Sequence, residues 1–182
     1  NSIAHSISDL SSQSSEPIYL LINSPGGSVL DGAMIVSAIE SSKAPVYTVC
    51  LQICASMAAI IFEYGTERYA VDRSFLMFHP ASGGMESEVD KMVSRVQSIQ
   101  RYIGKMETFI AKRAGIGFER YKALSSVELW LDGEDAVNSG FADTLVSVDA
   151  EEESSLSIFG ERNTSQETPH YRFGKFNFQW TY

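Results

Sequence analysis

Three short stretches of the chain carry residue types that together could attack a carbonyl carbon. They read Asn-Ser-Pro-Gly-Gly-Ser at residues 23–28, Cys-Ala-Ser-Met-Ala-Ala at residues 54–59, and Phe-His-Pro at residues 78–80. The Gly26-Gly27 turn can present backbone N–H groups to an oxyanion. Ser56 can serve as a nucleophile, and His79 as the base that activates it. In this order, the stretches predict acyl transfer of the kind that a serine peptidase performs.

Each stretch also has a simpler interpretation when it is taken alone. Ser56 can cap the helix that follows it, as serines often do. Gly26-Gly27 can be a plain strand-to-helix turn, and a single histidine is more often structural than catalytic. The three simple interpretations do not explain why the glycines, the serine and the histidine follow one another at the ends of predicted core elements.

Composition excludes several other classes of protein. The chain has 182 residues, of which 44% are hydrophobic and 20% charged, which is typical of one globular domain. A net charge of −9 disfavours binding to nucleic acid or to an anionic membrane. No apolar run is long enough to span a membrane. Cys50 and Cys54 have neither zinc-ligand spacing nor a disulfide framework, so two buried thiols in a reducing compartment are expected.

Predicted strands and helices alternate along the first half of the chain. Apolar runs at residues 18–23 and 45–50 predict strands, and helical patterns follow over residues 28–42 and from residue 56. This alternation predicts a parallel α/β unit. The other predicted elements are a helix over residues 1–14, strands at 68–71 and 74–79, a loop at 80–84, a short helix or turn over 116–126, and a last helix and strand over 130–148.

The longest periodic segment covers about residues 86–114. Its apolar residues recur at steps of three and four, which predicts one helix about 40 Å long at 1.5 Å per residue. A helix of that length should project from a small domain or line a partner.

The C-terminal residues differ in kind from the rest. Residues 151–155 are acidic and serine-rich, and four aromatic residues from Phe176 to Tyr182 alternate with polar ones, which is typical of a half-buried strand. We therefore predict a domain over residues 1–149 and an extension over residues 150–182 that adds a strand to a sheet edge.

Residues 18–148 resemble the Clp protease proteolytic subunit, a serine peptidase within the ClpP/crotonase fold superfamily. The resemblance is carried by residues 22–29, 55–57, 77–79 with the glycines that follow, and 134–143. It implies an α/β fold of repeated β-β-α and β-α units. It also implies that residues 86–114 form a projecting handle helix, which packs two rings face to face.

The resemblance assigns roles to the candidate residues. Ser56 would be the nucleophile and His79 the general base and then acid, while the N–H groups of Gly27 and Met57 would form the oxyanion hole. The third catalytic position, two residues before Trp130, is held by Glu128 where the family has aspartate. Glutamate can orient an imidazole, but its extra methylene changes the geometry. Asp132 is the nearest substitute, and a site without a direct acidic partner is the remaining alternative.

The resemblance also implies partners. These are polypeptide substrates, further copies of the chain in stacked rings, and a separate AAA+ unfoldase, all in the cytoplasm. Gly26, Gly83 and Gly84 would bind the substrate as an added strand. Acyl transfer of this kind needs no cofactor and no metal, and the sequence contains no phosphate-binding loop motif.

Two departures from the family pattern favour a divergent, phage-type member. Residues 51–58 read Leu-Gln-Ile-Cys-Ala-Ser-Met-Ala, without the glycines that usually flank the serine. The segment that family members place before the position of Asn1, which meets the ATPase, is not part of this sequence. These differences bear more on coupling to an unfoldase than on the chemistry.

Two alternatives remain at this point. The first is a catalytically silent ring subunit, since the serine loop and the acidic residue are both unusual. The second is a crotonase-like enzyme that stabilises the enolate of an acyl-CoA. A serine and a histidine at these positions favour the peptidase, and no basic cluster suited to CoA phosphates stands out.

Overall fold

The computed structural model describes residues 2–81 and 89–147. The helices are α1 (Ser2–Gln13), α2 (Val29–Ser41), α3 (Met57–Glu63), α4 (Val89–Arg113), α5 (Phe118–Ser125) and α6 (Gly133–Asn138). The strands are β1 (Ile18–Ser24), β2 (Val46–Ala55), β3 (Glu67–Val71), β4 (Phe75–Phe78), β5 (Leu129–Asp132) and β6 (Thr144–Val146). The α/β class predicted from the sequence is confirmed.

The apolar strand β2 is the centre of a curled, mostly parallel sheet. It pairs with β1 along one edge, and along the other edge with β3 over its first half and with β4 over its second half. The register between β1 and β2 shifts between Ile22 and Ser24. Such an irregularity bends the strand that contains it. The carboxyl ends of β1, β2 and β4 therefore meet in one region, where the candidate residues follow.

The helices cover the sheet with apolar faces. Ser28 is the N-cap of α2, and its hydroxyl accepts a hydrogen bond from the Asp31 N–H at 3.3 Å. The second half of α4 contributes Met106 and Ile110 to the core, whereas Val93 and Val96 in its first half are exposed. The largest fully buried side chains are Phe62, Phe78, Phe141, Leu76, Met106 and Ile110.

Two strands differ from the sequence-based prediction. β2 continues to Ala55 rather than ending near Cys50, because its second half gains a partner in β4. The sequence predicts a last helix and strand over residues 130–148, with no strand before that helix. Residues 129–132 instead pair antiparallel with β4. Cys50 and Cys54 are buried and free, as predicted.

Candidate active site

Ser56 occupies a strained turn between β2 and α3. Its backbone angles are φ 56° and ψ −124°, a conformation that non-glycine residues rarely adopt and that costs on the order of 1–3 kcal/mol. The Ser56 N–H donates to the Met77 carbonyl at 2.8 Å, which fixes the turn against β4. The Ser56 side chain makes no capping hydrogen bond to α3. The helix-cap interpretation of this serine therefore has no support in the structure.

His79 lies next to Ser56 because their strands are neighbours. β2 and β4 run parallel, with Ala55 opposite Met77, so the residues that follow each strand emerge at the same edge of the sheet. The His79 Nε2 and Ser56 Oγ atoms are 2.8 Å apart, and both residues are partly buried. An imidazole at this distance can accept the hydroxyl proton as the oxygen attacks a carbonyl.

Gly26 allows the glycine-rich turn to approach the serine. Its φ is 99°, and a Cβ at this position would lie 2.6 Å from the Ala55 oxygen and 2.8 Å from the Ser56 Cβ. Any side chain would displace the serine turn, so glycine is required here for two independent reasons. The contact places the turn after β1 directly beside the serine.

Within residues 2–81 and 89–147, the N–H groups of Gly27 and Met57 donate to no hydrogen-bond acceptor. Both residues line a cavity of about 310 Å³ that is bounded by the end of β1 and by α2 and α3. Ser56 and His79 are not part of that lining. Gly27 and Met57 thus both border the cavity next to the serine turn.

Glu128 lies one step beyond the ladder that joins β4 and β5. The ladder ends with Phe78 opposite Leu129, and His79 and Glu128 are the next residues at that end of the two strands. The φ of Glu128 is 63°, and its carboxylate Oε2 accepts a hydrogen bond from Trp130 Nε1 at 3.2 Å. Among the described residues, no hydrogen bond or ion pair joins Glu128 to His79.

Asp132 is at the far end of β5, opposite Phe75. Its carboxylate caps α6 by accepting from the Asp135 N–H at 2.8 Å. Three residue pairs separate it from the His79 end of the strand, which is on the order of 10 Å. Gly83 and Gly84, the predicted substrate-binding glycines, lie outside the described residues.

A buried cluster of charged side chains around Arg68 was not predicted from the sequence. Arg68 donates to Glu63 at 2.5 Å and to Asp143 at 2.6 Å, and both Arg68 and Glu63 are almost wholly inaccessible to solvent. Burial raises the pKa of Glu63 to about 8, although the charge of Arg68 opposes this. Burial also disfavours the charge of Asp143, but hydrogen bonds from Arg68 hold the pKa of Asp143 below its ordinary value. No local sequence signal links partners 75 residues apart.

The described part of the chain contains neither a membrane-spanning helix nor a metal cluster. Within residues 2–81 and 89–147, no helix is long and apolar enough to cross a membrane. No group of three or more histidine, cysteine or acidic side chains among the same residues could hold a metal ion.

A curled α/β sheet that brings a strained serine beside a histidine is typical of enzymes that transfer acyl groups. A family model for Clp protease matches residues 1–149. The chain is 33% identical over 140 residues to ATP-dependent Clp protease proteolytic subunit 2 of Prochlorococcus marinus strain MIT 9312, covering 75% of this chain and 69% of that protein. It is 34% identical over 140 residues to subunit 3 of Synechococcus sp. strain CC9902, covering 75% and 70%. The chain belongs to the Clp protease family, a family of peptidases, and the resemblance noted in the sequence is confirmed.

Proposed function

We propose that the chain is a serine endopeptidase that hydrolyses peptide bonds of unfolded polypeptides and peptides through an acyl-enzyme. The observation that carries the proposal is the 2.8 Å separation of Ser56 Oγ and His79 Nε2. The strained φ of Ser56 supports it further, because backbone strain tends to be retained at functional sites. The serine side chain is thereby turned away from a capping role and towards the histidine.

In the proposed reaction, Ser56 Oγ attacks the peptide carbonyl carbon while His79 Nε2 takes its proton. The resulting oxyanion would be bound by the N–H groups of Gly27 and Met57, each contributing on the order of 10²–10³ in rate. His79 then gives its proton to the leaving amine. Water attacks the acyl-enzyme with His79 again as base, which releases the second product and restores the serine.

Glu128 is the proposed third member of the site. Glu128 and His79 both adjoin the last pair of the β4–β5 ladder, which supports this role, and the positive φ of Glu128 is shared with no other described non-glycine residue except Ser56. The role of Asp132 as the cap of α6 disfavours it as the acid. Gly26 would keep the turn close to the serine, and Gly83 and Gly84 would border the substrate.

Stacked rings served by an AAA+ unfoldase in the cytoplasm complete the proposal. Two observations support an assembly. The relatives are named as proteolytic subunits of an ATP-dependent Clp protease. In this chain, the first half of α4 exposes Val93 and Val96, which are 52% and 38% accessible. Burial of such side chains against a second copy would fit the role of a handle helix.

The test compares turnover of short fluorogenic peptides by the wild-type chain and Ser56→Ala at matched oligomeric state. We expect Ser56→Ala to lose turnover and labelling by a fluorophosphonate probe while its assembly persists. Ser8→Ala on the exposed face of α1 is the matched control and should behave as wild type. Equal turnover by the wild-type chain and Ser56→Ala would exclude the mechanism.

One observation favours a catalytically silent ring subunit as a second candidate. His79 donates no hydrogen bond to an acidic side chain among the described residues. A silent subunit would assemble into rings, yet neither cleave peptides nor react with the fluorophosphonate at Ser56. The same experiment therefore separates the two candidates.

A further inference from the structure

Trp130 contacts the Glu128 carboxylate and has no role in the reaction proposed above. Trp130 Nε1 donates to Glu128 Oε2 at 3.2 Å, and Trp130 is 50% exposed. No hydrogen bond to the second oxygen, Oε1, is recorded among the described residues. One oxygen of the carboxylate is therefore held by the indole, and the other makes no hydrogen bond within residues 2–81 and 89–147.

The β4–β5 ladder ends next to both His79 and Glu128. Met77 is opposite Trp130 and Phe78 is opposite Leu129 in the last pair, so His79 and Glu128 are the next residues at that end of the two strands. His79 uses Nε2 towards Ser56, which leaves Nδ1 as the nitrogen that an acid would engage. Glu128 Oε1 and His79 Nδ1 thus belong to residues that adjoin the same end of the ladder.

A glutamate needs more support in this role than a shorter acid does. Its carboxylate is separated from the backbone by three rotatable bonds, and ordering a long side chain costs conformational entropy. The backbone of Glu128, with its positive φ, is held by the hydrogen bond that its N–H donates to the Ser125 carbonyl at 3.1 Å. An additional hydrogen bond to one oxygen restricts the remaining torsions.

We propose that Trp130 is a positioning residue, whose indole N–H holds Glu128 Oε2 so that Oε1 can accept a hydrogen bond from His79 Nδ1 during the reaction. This inference rests on the proposed serine-peptidase function. Trp130 acts through Glu128 and does not itself touch the reacting atoms.

The test is the variant Trp130→Phe, which keeps an aromatic ring and removes the N–H donor. We expect kcat for peptide hydrolysis to fall about three- to tenfold, as for loss of a hydrogen bond to a partly exposed charged group, with KM within about twofold of wild type. In a Glu128→Gln background, the same change should alter the rate of fluorophosphonate labelling by less than about twofold, because the charge that Trp130 positions is gone.

The matched control is Phe75→Leu, a substitution of another exposed aromatic residue of the β4–β5 pair, four positions from His79 in the sequence. It should leave kcat unchanged. An unchanged kcat with a raised KM in Trp130→Phe would make Trp130 a substrate contact and overturn the inference. A raised kcat would show that the indole keeps the acid away from His79, and an equal loss in the Glu128→Gln background would show action without Glu128.

Failure of this inference and failure of the proposed function are distinguishable. If Ser56→Ala retains turnover, both fail. If Ser56→Ala is inactive while Trp130→Phe matches wild type in kcat, only the role of Trp130 fails. Thermal unfolding of each variant checks that a lower kcat does not reflect a loss of fold.

Discussion

Ser56 and Glu128 are the two described non-glycine residues with positive φ. Ser56 lies within hydrogen-bond distance of His79, and Glu128 adjoins the end of the strand pair that precedes His79. At the scale of single residues, this strain is the clearest structural mark of the site. Each residue sits where a strand meets a helix or a turn, and neither conformation follows from the propensity of serine or glutamate. The surrounding hydrogen bonds to Met77 and Ser125 hold the two backbones in place.

The strain at Ser56 predicts an unusual order of stability among its variants. Ser56→Gly should be more stable to unfolding than Ser56→Ala by roughly 1 kcal/mol, because glycine adopts a positive φ without a Cβ clash. Both variants should lack peptidase activity. Urea unfolding of the two proteins at equal concentration measures the difference. If the Ser56→Ala variant is as stable as the Ser56→Gly variant, the backbone at residue 56 is not strained.

The pKa of Glu63 predicts a pH dependence of stability. Burial raises this pKa to about 8, against about 4.5 for an ordinary glutamate, so the folded state holds the proton more tightly. Stability should therefore decline as pH rises from about 4.5 to about 8. Between pH 6 and pH 9, the free energy of unfolding should fall by on the order of 1–3 kcal/mol.

Glu63→Gln should remove most of that decline, because the amide has no proton to lose. Urea unfolding at pH 6 and pH 9 provides the comparison. A variant whose stability falls as steeply as that of the wild type would show that other groups cause the slope.

At the scale of elements, one arginine attaches the end of α4 to the rest of the fold. Arg113 donates to the carbonyls of Glu63, Gly65 and Thr66 and to the carboxylate of Asp143 at 3.3 Å. These groups lie at the end of α3, in the turn to β3 and before β6. The long helix is therefore connected to the short helix that begins beside Ser56.

Arg113→Lys should destabilise the fold by about 1–3 kcal/mol. A lysine ammonium keeps the charge but cannot reproduce the planar, forked set of donors. The adjacent exposed residue gives a reciprocal control, since Lys112→Arg should change stability by less than about 0.5 kcal/mol. Chemical unfolding of both variants measures the two changes in stability. If Arg113→Lys is as stable as the wild type, water replaces the contacts to the carbonyls without cost.

Helices and strands with long, regular apolar patterns were easier to predict from the sequence than short ones. α4 was predicted over residues 86–114 and is described over Val89–Arg113, because its apolar spacing is sustained. β5 has only four residues, and the Asp132 cap beside it is a helix signal. Its strand conformation comes from pairing with β4, which lies about 50 residues earlier in the chain.

At the scale of the whole molecule, the curl of the sheet decides which residues meet. β2 is shared by β3 and β4, so the turn after β2 and the end of β4 come together although 23 residues separate Ser56 from His79. The extension over residues 150–182 and the assembly into rings stay predictions.

Every site residue proposed here precedes residue 150, which predicts the effect of shortening the chain. A chain ending at residue 149 should unfold within a few degrees of the full-length protein and react with a fluorophosphonate at Ser56 at a similar rate. Differential scanning calorimetry and the labelling time course test this. A large drop in either would place residues 150–182 within the functional fold.

The α/β class and the candidates Ser56 and His79 could be predicted from residue patterns, whereas the family and the candidates Gly27 and Met57 follow from the resemblance to Clp protease. The residue patterns are local: an apolar run, a glycine turn, a serine at the start of a helix and a histidine at the end of a strand. Three features are seen only in the tertiary structure: the antiparallel pairing of β5, the hydrogen bond from Trp130 to Glu128, and the buried cluster around Arg68. Long-range pairing and burial create these features, and neither is encoded in the spacing of neighbouring residues.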